Sequence, residues 1–263
     1  MSARVALVAG GAKPESIGFA VVQRLLAEGC RVALADLYEA GFAQLPQCLC
    51  VRTDASDADS VQAMVDQVAA RFGTVHILVN CVGGSWGITE QDLTAPPRRG
   101  FLGVTGCSLS DWRTILAANL DSAFHFARAA APLLKKQGGA IVNVASIAAR
   151  KGIPPGAEGS SGPYAVAKAG VMALTRQLAL ELGPHGVRAN CVAPGVIASG
   201  RLRRVLEMTA GGEGPEGPLA AIPMGRVGTV AETAALIVAL CGDDAGYLTG
   251  VTLDENGASY MAS

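Results

Sequence analysis

Along the chain, short runs of nearly continuous apolar residues alternate with longer stretches in which apolar positions recur at helical spacing. The short runs are RVALVAG (4–10), RVALADL (31–37), CLCVRTD (48–54), HILVNCVG (76–83), AIVNVAS (140–146), VRANCVAPG (187–195) and GVTLDENG (250–257). Runs of this kind are expected of strands covered on both faces. Between them, residues 17–29, 57–72, 110–137, 163–183 and 229–241 read as helices, the last opened by a capping box of Thr229 and Glu232. Strands that alternate with helices predict an α/β chain with a doubly wound, seven-stranded parallel sheet flanked by helices. No internal repeat, linker or charge block divides the 263 residues, so a single domain over 1–263 is predicted.

Composition narrows the classes of function. The chain is 50% hydrophobic and 16% charged, with a formal charge of −1, which suits a large core and gives no global pull toward nucleic acid or a membrane surface. The opening MSARVALVAGG is too short an apolar run to span a bilayer and lacks the layout of a signal peptide, so a cytoplasmic location is expected. Seven cysteines at irregular positions form no disulfide framework and no C-x-x-C pair; Cys48 and Cys50 alternate within a strand. Buried free thiols of a reducing compartment are expected, and no metal site.

The first strand runs into a glycine turn and then an amphipathic helix. Gly10 and Gly11 permit a tight turn, Gly18 permits close approach of the helix, and Ser16 and Ile17 lie just before it. Exposed N–H groups at a helix N-terminus attract a pyrophosphate. The spacing is not G-x-G-x-x-G, because Lys13, Pro14 and Glu15 lengthen the turn; read alone, it also fits an ordinary strand–helix connection. Asp36 ends the second strand 18 residues after Gly18, where a carboxylate accepts hydrogen bonds from an adenosine ribose and repels a 2′-phosphate. The expected cofactor is therefore NAD rather than NADP, although a cap or turn would also account for Asp36 by itself. Asp54 ends the third strand, and NCVGG (80–84) ends the fourth with two glycines. Polar and glycine residues at several strand ends on one sheet edge are what a ligand crevice requires.

Tyr164 and Lys168 stand four residues apart in a stretch otherwise made of small apolar residues. That spacing puts a phenol and an ammonium on one helix face. The pair alone would also fit a surface phenol and a solvated lysine on a packing helix. A nearby ammonium favours a phenolate, which would let Tyr164 exchange a proton with a substrate hydroxyl near neutral pH.

Taken together, these residues resemble the short-chain dehydrogenases/reductases over nearly the whole chain. YAVAK fits that family's Tyr-x-x-x-Lys, IVNVAS the strand that ends in its active-site serine (Ser146), and AANL its helix asparagine (Asn119). NCVGG is similar to Asn-Asn-Ala-Gly, with Asn80 and Gly83 matching and Cys81 and Val82 departing. NCVAPGVIAS gives Pro194, Gly195, Ile197 and Ser199 in the segment after the sixth strand, and GRVGTVAE and YLTGVTLDENG resemble the C-terminal signatures. The resemblance implies a Rossmann fold on which Tyr164 is the general acid/base and Lys168 also holds the nicotinamide ribose. It further implies that Ser146 hydrogen-bonds the substrate oxygen and that Asn119 supports a water relay to Lys168. The cofactor would lie along Gly10, Gly11, Ser16, Ile17, Gly18, Asp36, Asp54, Asn80, Gly83, Tyr164, Lys168, Pro194, Gly195, Ile197 and Ser199.

Three departures qualify the match. The wide glycine turn is similar to that of the family's enoyl-carrier-protein reductases, but those space their tyrosine and lysine more widely than four, so that identity is set aside. Ser146 lies 18 residues before Tyr164, farther than usual, which leaves Ser160 or Ser161 as alternatives. The stretch from Gly84 to Trp112 is also extended. His76, His125 and His185 have no partner at a catalytic or metal-ligand spacing and read as structural; Trp112 reads as packing at a helix start.

The expected activity is interconversion of a secondary alcohol and a ketone with NAD(H) on a small molecule. A 3-oxoacyl-thioester reductase is the alternative, and a non-catalytic NAD-binding sensor or scaffold the remote one. A homotetramer is implied by the resemblance, with helices 110–137 and 163–183 pairing across two-fold axes. Residues 196–223 would form a mobile substrate lid. Its Arg201, Arg203 and Arg204 read as solvated surface, with a clamp for an anionic substrate as the alternative.

Overall fold

In the computed structural model, residues 4–85, 100–155, 157, 160–199 and 221–262 are described. The lid arginines Arg201, Arg203 and Arg204, and most of segment 196–223, lie outside those residues.

The first strand, β1 (Val5–Ala9), is buried on both faces and sorts its side chains by parity. Val5, Leu7 and Ala9 face one layer, with Phe126, Leu134 and Leu182. Ala6 and Val8 face the other, with Val22, Leu25 and Ile237. This double burial is why the strands read as unbroken apolar runs. The helices that cover the faces are α1 (Ile17–Ala27) and α7 (Val230–Cys241) on one side, and α2 (Ala58–Phe72), α4 (Ser122–Leu134) and α6 (Gly162–Leu182) on the other.

The remaining strands are β2 (Arg31–Asp36), β3 (Leu49–Arg52), β4 (Ile77–Asn80), β5 (Gly139–Val144), β6 (Val187–Pro194), β7 (Ile197–Ala198), β8 (Gly228–Thr229) and β9 (Thr252–Glu255). Seven of them form one parallel sheet in the order β3-β2-β1-β4-β5-β6-β9, as the alternation predicted. The order reverses between β1 and β4, and the carboxyl ends of strands beside such a switch point open into a crevice. The pair β7–β8 is a separate two-stranded parallel sheet that the apolar pattern did not predict.

Caps set the helix ends. Ser16 accepts from the N–H of Phe19, Asp57 from that of Asp59, and Thr229 with Glu232 closes the predicted capping box. The segment predicted as one helix over 110–137 is α3 (Leu109–Leu116), a π-helical turn (Ala117–Asp121) and α4. The turn has a local cause: Asn119 Nδ2 donates to the Ile115 carbonyl and Ser122 Oγ to that of Ala118. Both side chains compete with the backbone for carbonyls four residues back. A short α5 (Ala148–Lys151) follows β5, tied to β9 by a half-buried ion pair between Arg150 and Asp254 at 3.1 Å.

No described helix is long and apolar enough to cross a membrane. All seven cysteines are free, with Cys191 and Cys241 buried and the other five half-buried rather than fully enclosed. Among the described residues, no cluster of His, Cys, Asp and Glu could hold a metal ion. His76 is structural: its Nδ1 accepts the N–H of Val5, and Nε2 hydrogen-bonds Gln137, which selects the tautomer with its proton on Nε2.

Candidate active site

The crevice begins at the turn between β1 and α1. Gly10 sits at φ +80°, in the left-handed region, and a methyl group on Gly18 would overlap the Gly10 carbonyl oxygen. The chain therefore folds back on itself with no side chain in the gap. Ser16 uses its hydroxyl to cap α1, so its side chain serves the fold, and Ile17 is the first helical residue.

Asp36, at the end of β2, is anchored before any ligand arrives. Its Oδ2 accepts from the N–H groups of Gly11 and Ala12 at 2.7 and 2.8 Å, and its Oδ1 from that of Tyr38 at 2.9 Å. The carboxylate is thus a fixed negative charge beside the glycine turn, with one lone pair left, on Oδ1. Lys13, from the lengthened turn, lies over the Tyr38 ring at 3.7 Å from its centroid. Asp54 accepts from the N–H and hydroxyl of Ser56 in a turn after β3.

Asn80 lies inside the fold. Its side chain is buried and donates to Asn143 Oδ1 at 2.7 Å, and Asn143 donates in turn to Thr175 Oγ1 at 2.9 Å. This buried chain of polar groups links β4, β5 and α6, and Asn80 Oδ1 has no protein partner in it. Asn143 and Thr175 carry no motif of their own, and the sequence did not mark them.

After β4 the backbone is gripped by residues from several elements. Gly83 packs so closely that a methyl group there would overlap Asn119 Oδ1 and lie 2.8 Å from Lys168 Nζ. Asn119, in the π-helical turn, accepts the N–H of Gly84 at 3.0 Å and donates to its carbonyl at 2.9 Å. On the far side, the carbonyl of Pro194 accepts from Ile147, the N–H of Gly195 donates to Glu255, and Ser199 donates to the buried Ile197.

Tyr164 lies in the first turn of α6, with Lys168 one turn further on. Lys168 is 4% exposed and donates to the carbonyls of Val144 at 2.9 Å and Val82 at 3.2 Å. Burial lowers its pKa to about 8, although the thiols of Cys191 and Cys81 pull the other way. An ammonium carries three N–H bonds, so two carbonyls leave one for another acceptor. Ser146 stands beside the Tyr164 phenol, close enough to pull its pKa down. The alternatives are engaged elsewhere: Ser160 donates to the carbonyl of Ala157, and Ser161 to that of Ser85.

The ammonium was expected to favour a phenolate. Instead, burial raises the Tyr164 pKa, and only Ser146 opposes it. Lys168 Nζ is 5.9 Å from the phenol ring centroid and is itself held by backbone carbonyls, so desolvation outweighs its charge. In this state the phenol holds its proton.

The whole chain has known relatives. A family model described as enoyl-(acyl carrier protein) reductase matches residues 10–257. The 3-oxoacyl-(acyl-carrier-protein) reductase FabG of Haemophilus influenzae is 30% identical, with all of both chains covered. The 2,3-dihydroxy-2,3-dihydro-p-cumate dehydrogenase of Pseudomonas putida is 33% identical, covering 99% of this chain and 96% of its own. Among solved structures, the crystal structure of gox2181 superposes with a TM-score of 0.83 at 30% identity, covering 98% of this chain and 96% of that one. On this match of sequence and fold, the chain belongs to the short-chain dehydrogenases/reductases, oxidoreductases that bind NAD(P) on a Rossmann fold.

Proposed function

We propose that this protein interconverts a secondary alcohol and a ketone by hydride transfer with NAD(H). The observation that carries the reading is the constellation of Ser146 beside Tyr164, with buried Lys168 behind it and Gly83 packed against Lys168 and Asn119. When bound, the nicotinamide supplies the hydride donor or acceptor. The residues around it fit such a cofactor. The side-chain-free turn at Gly10, Gly11 and Gly18, with the α1 N-terminus, would take the pyrophosphate, and Asp36 the adenosine ribose. Lys168 would use its remaining N–H on the nicotinamide ribose, while Asp54, Gly83, Pro194, Gly195, Ile197 and Ser199 complete the lining. Asn80 would act through the packing of β4, because its side chain is buried and its amide nitrogen donates to Asn143.

In the direction of reduction, Ser146 would hold the substrate oxygen and the protonated Tyr164 would donate its proton to it. A phenol raised by burial is suited to that donation. In oxidation, Tyr164 would accept the proton of the alcohol, with Lys168 stabilising the developing phenolate. The fixed negative charge of Asp36 supports NAD over NADP, since a 2′-phosphate would meet like charge there. Lys13, over the Tyr38 ring, is a nearby cation that would soften this preference.

The similarity to enzymes named 3-oxoacyl-(acyl-carrier-protein) reductases favours a second reading, a thioester-linked ketone as substrate. The four-residue spacing of Tyr164 and Lys168 favours carbonyl over enoyl reduction. One assay separates these readings: NADH and NADPH oxidation with simple ketones, a 3-oxoacyl thioester and an enoyl thioester. Turnover of a ketone with NADH supports the leading reading, turnover of the 3-oxoacyl thioester alone the second, and turnover of the enoyl thioester alone refutes both. NADH binding without turnover of any of them would point to a sensor.

A cytoplasmic homotetramer completes the proposal. The free thiols suit the compartment, and α4 and α6 present exposed Phe124, Val166 and Leu180 to a partner copy. Light scattering that shows a monomer in active protein would refute the assembly.

A further inference from the structure

We propose that Ser161 is a positioning residue for Tyr164, acting through a clasp on the backbone that follows β4. This rests on the oxidoreductase reading above. Ser161 stands at the N-cap of α6, where a serine ordinarily accepts an N–H from its own helix. Here it makes no such cap bond. Instead its hydroxyl donates to the carbonyl of Ser85, and its N–H donates to Ser85 Oγ at 3.0 Å. Both groups of one residue are spent on a segment 76 positions away, and the residue is wholly buried.

The same stretch, residues 82–85, is held from the other side. Lys168 takes the carbonyl of Val82, Asn119 takes both polar groups of Gly84, and Ser161 takes both those of Ser85 that it can reach. Val82, Gly84 and Ser85 are therefore fixed by three residues, two of which belong to the candidate active site. The third is fully buried and three residues before Tyr164.

A second contact braces the clasp. Leu102 N donates to the Ser160 carbonyl at 3.0 Å, and Gly162 N donates to the Leu102 carbonyl at 2.8 Å, so Leu102 pairs with Ser161 as a parallel bridge. Gly162 admits this approach: a methyl group there would lie 2.8 Å from a Val104 methyl. The entry to α6 is thus packed between Ser85 and Leu102, and the first turn of the helix carries Tyr164. Loss of the clasp frees the helix entry to shift relative to Gly83 and to admit water to the phenol. Displacements near 1 Å cost catalysis on the order of 100-fold when they misalign reacting groups.

The test compares Ser161→Ala, Ser161→Thr and Ser85→Ala with the parent protein. Three readouts are used: ketone reduction, NADH affinity by fluorescence, and the titration of Tyr164 by ultraviolet difference against Tyr164→Phe. For Ser161→Ala, kcat is expected to fall at least about 10-fold with NADH affinity within about 2-fold, because the glycine turn and Lys168 are untouched. The Tyr164 titration should move down toward its ordinary value as water enters. Ser161→Thr, which keeps the hydroxyl, should restore turnover. Ser85→Ala removes only the acceptor of the Ser161 N–H and keeps the carbonyl that the Ser161 hydroxyl holds, so it should have a smaller effect of the same kind that adds to that of Ser161→Ala. A Ser161→Ala protein with parental turnover and parental Tyr164 titration overturns the proposal, as does a loss of melting temperature with neither readout changed. If the parent turns over no ketone, the alcohol–ketone reading fails, and the Tyr164 titration alone decides the clasp.

Discussion

Burying the Lys168 ammonium should cost the native state stability that returns as pH rises. The unfolded value is 10.5 and the folded value is lowered to about 8. A lysine with a depressed folded pKa binds its proton more weakly in the native state, so the unfolded chain carries more protons between pH 8 and 10.5. Stability therefore rises with pH through that window. A shift of about 2.5 units, at about 1.4 kcal/mol per unit, amounts to about 3 kcal/mol near pH 7. Between pH 7 and 9.5, about 2 kcal/mol of that cost is relieved. Lys168→Met removes the charge while keeping much of the volume, and it leaves the carbonyls of Val82 and Val144 without their donor. That second cost does not depend on pH. Thermal melts of the two apoproteins from pH 7 to 9.5 should therefore diverge, the parent gaining on the variant by about 4–8 °C, taking about 2–4 °C per kcal/mol for a chain of this size. Groups that do not feel Lys168 titrate alike in both proteins and cancel in the difference, and the Cys81 and Cys191 thiols, which do feel it, are burial-raised above this pH window. Parallel melting curves would show that Lys168 is not the strained ammonium described above, and a parent losing ground with pH would reverse its sign.

Three further outcomes follow from the geometry. Tyr164→Phe should lower ketone turnover by about 100-fold or more, the scale of a lost general acid, while NADH still quenches or enhances fluorescence as in the parent; near-parental turnover would remove Tyr164 from its role. Catalytic efficiency should be higher with NAD(H) than with NADP(H), and Asp36→Ser should narrow the gap, with Lys13→Ala then widening it again; a parent that prefers NADP(H) would refute the reading of Asp36. Thr229→Ala breaks the capping box of α7 and should cost about 1 kcal/mol in a urea unfolding midpoint without altering NADH binding; an unchanged midpoint would show that Glu232, held by Arg226 at 2.7 Å, caps the helix alone.

How far the sequence reached differs between the sheet and the site. The central strands β1, β4, β5 and β6 were legible because each is buried on both faces, so its apolar run has few breaks, and Thr229 and Glu232 announced a helix start by local chemistry that tertiary packing did not alter. The spacing of Tyr164 and Lys168 put them on one helix face, but it was the set of motifs around them, not the pair, that marked them as candidates. What the chain could not show by itself were contacts between residues far apart in it. The π-helical turn at Asn119 arises where a side chain takes a carbonyl from the backbone while clasping Gly84, 35 positions away. Asn80 matched a motif, yet Asn143 fixes where its side chain goes, and the partner comes from another strand. Ser160 and Ser161 stood as rivals to Ser146 on spacing, and only the fold sends one to Ala157 and the other to Ser85. The protonation of the site was decided the same way. An ammonium one turn from a phenol predicted a phenolate, but both groups are desolvated by a core assembled from the whole sheet, and that burial sets the charge.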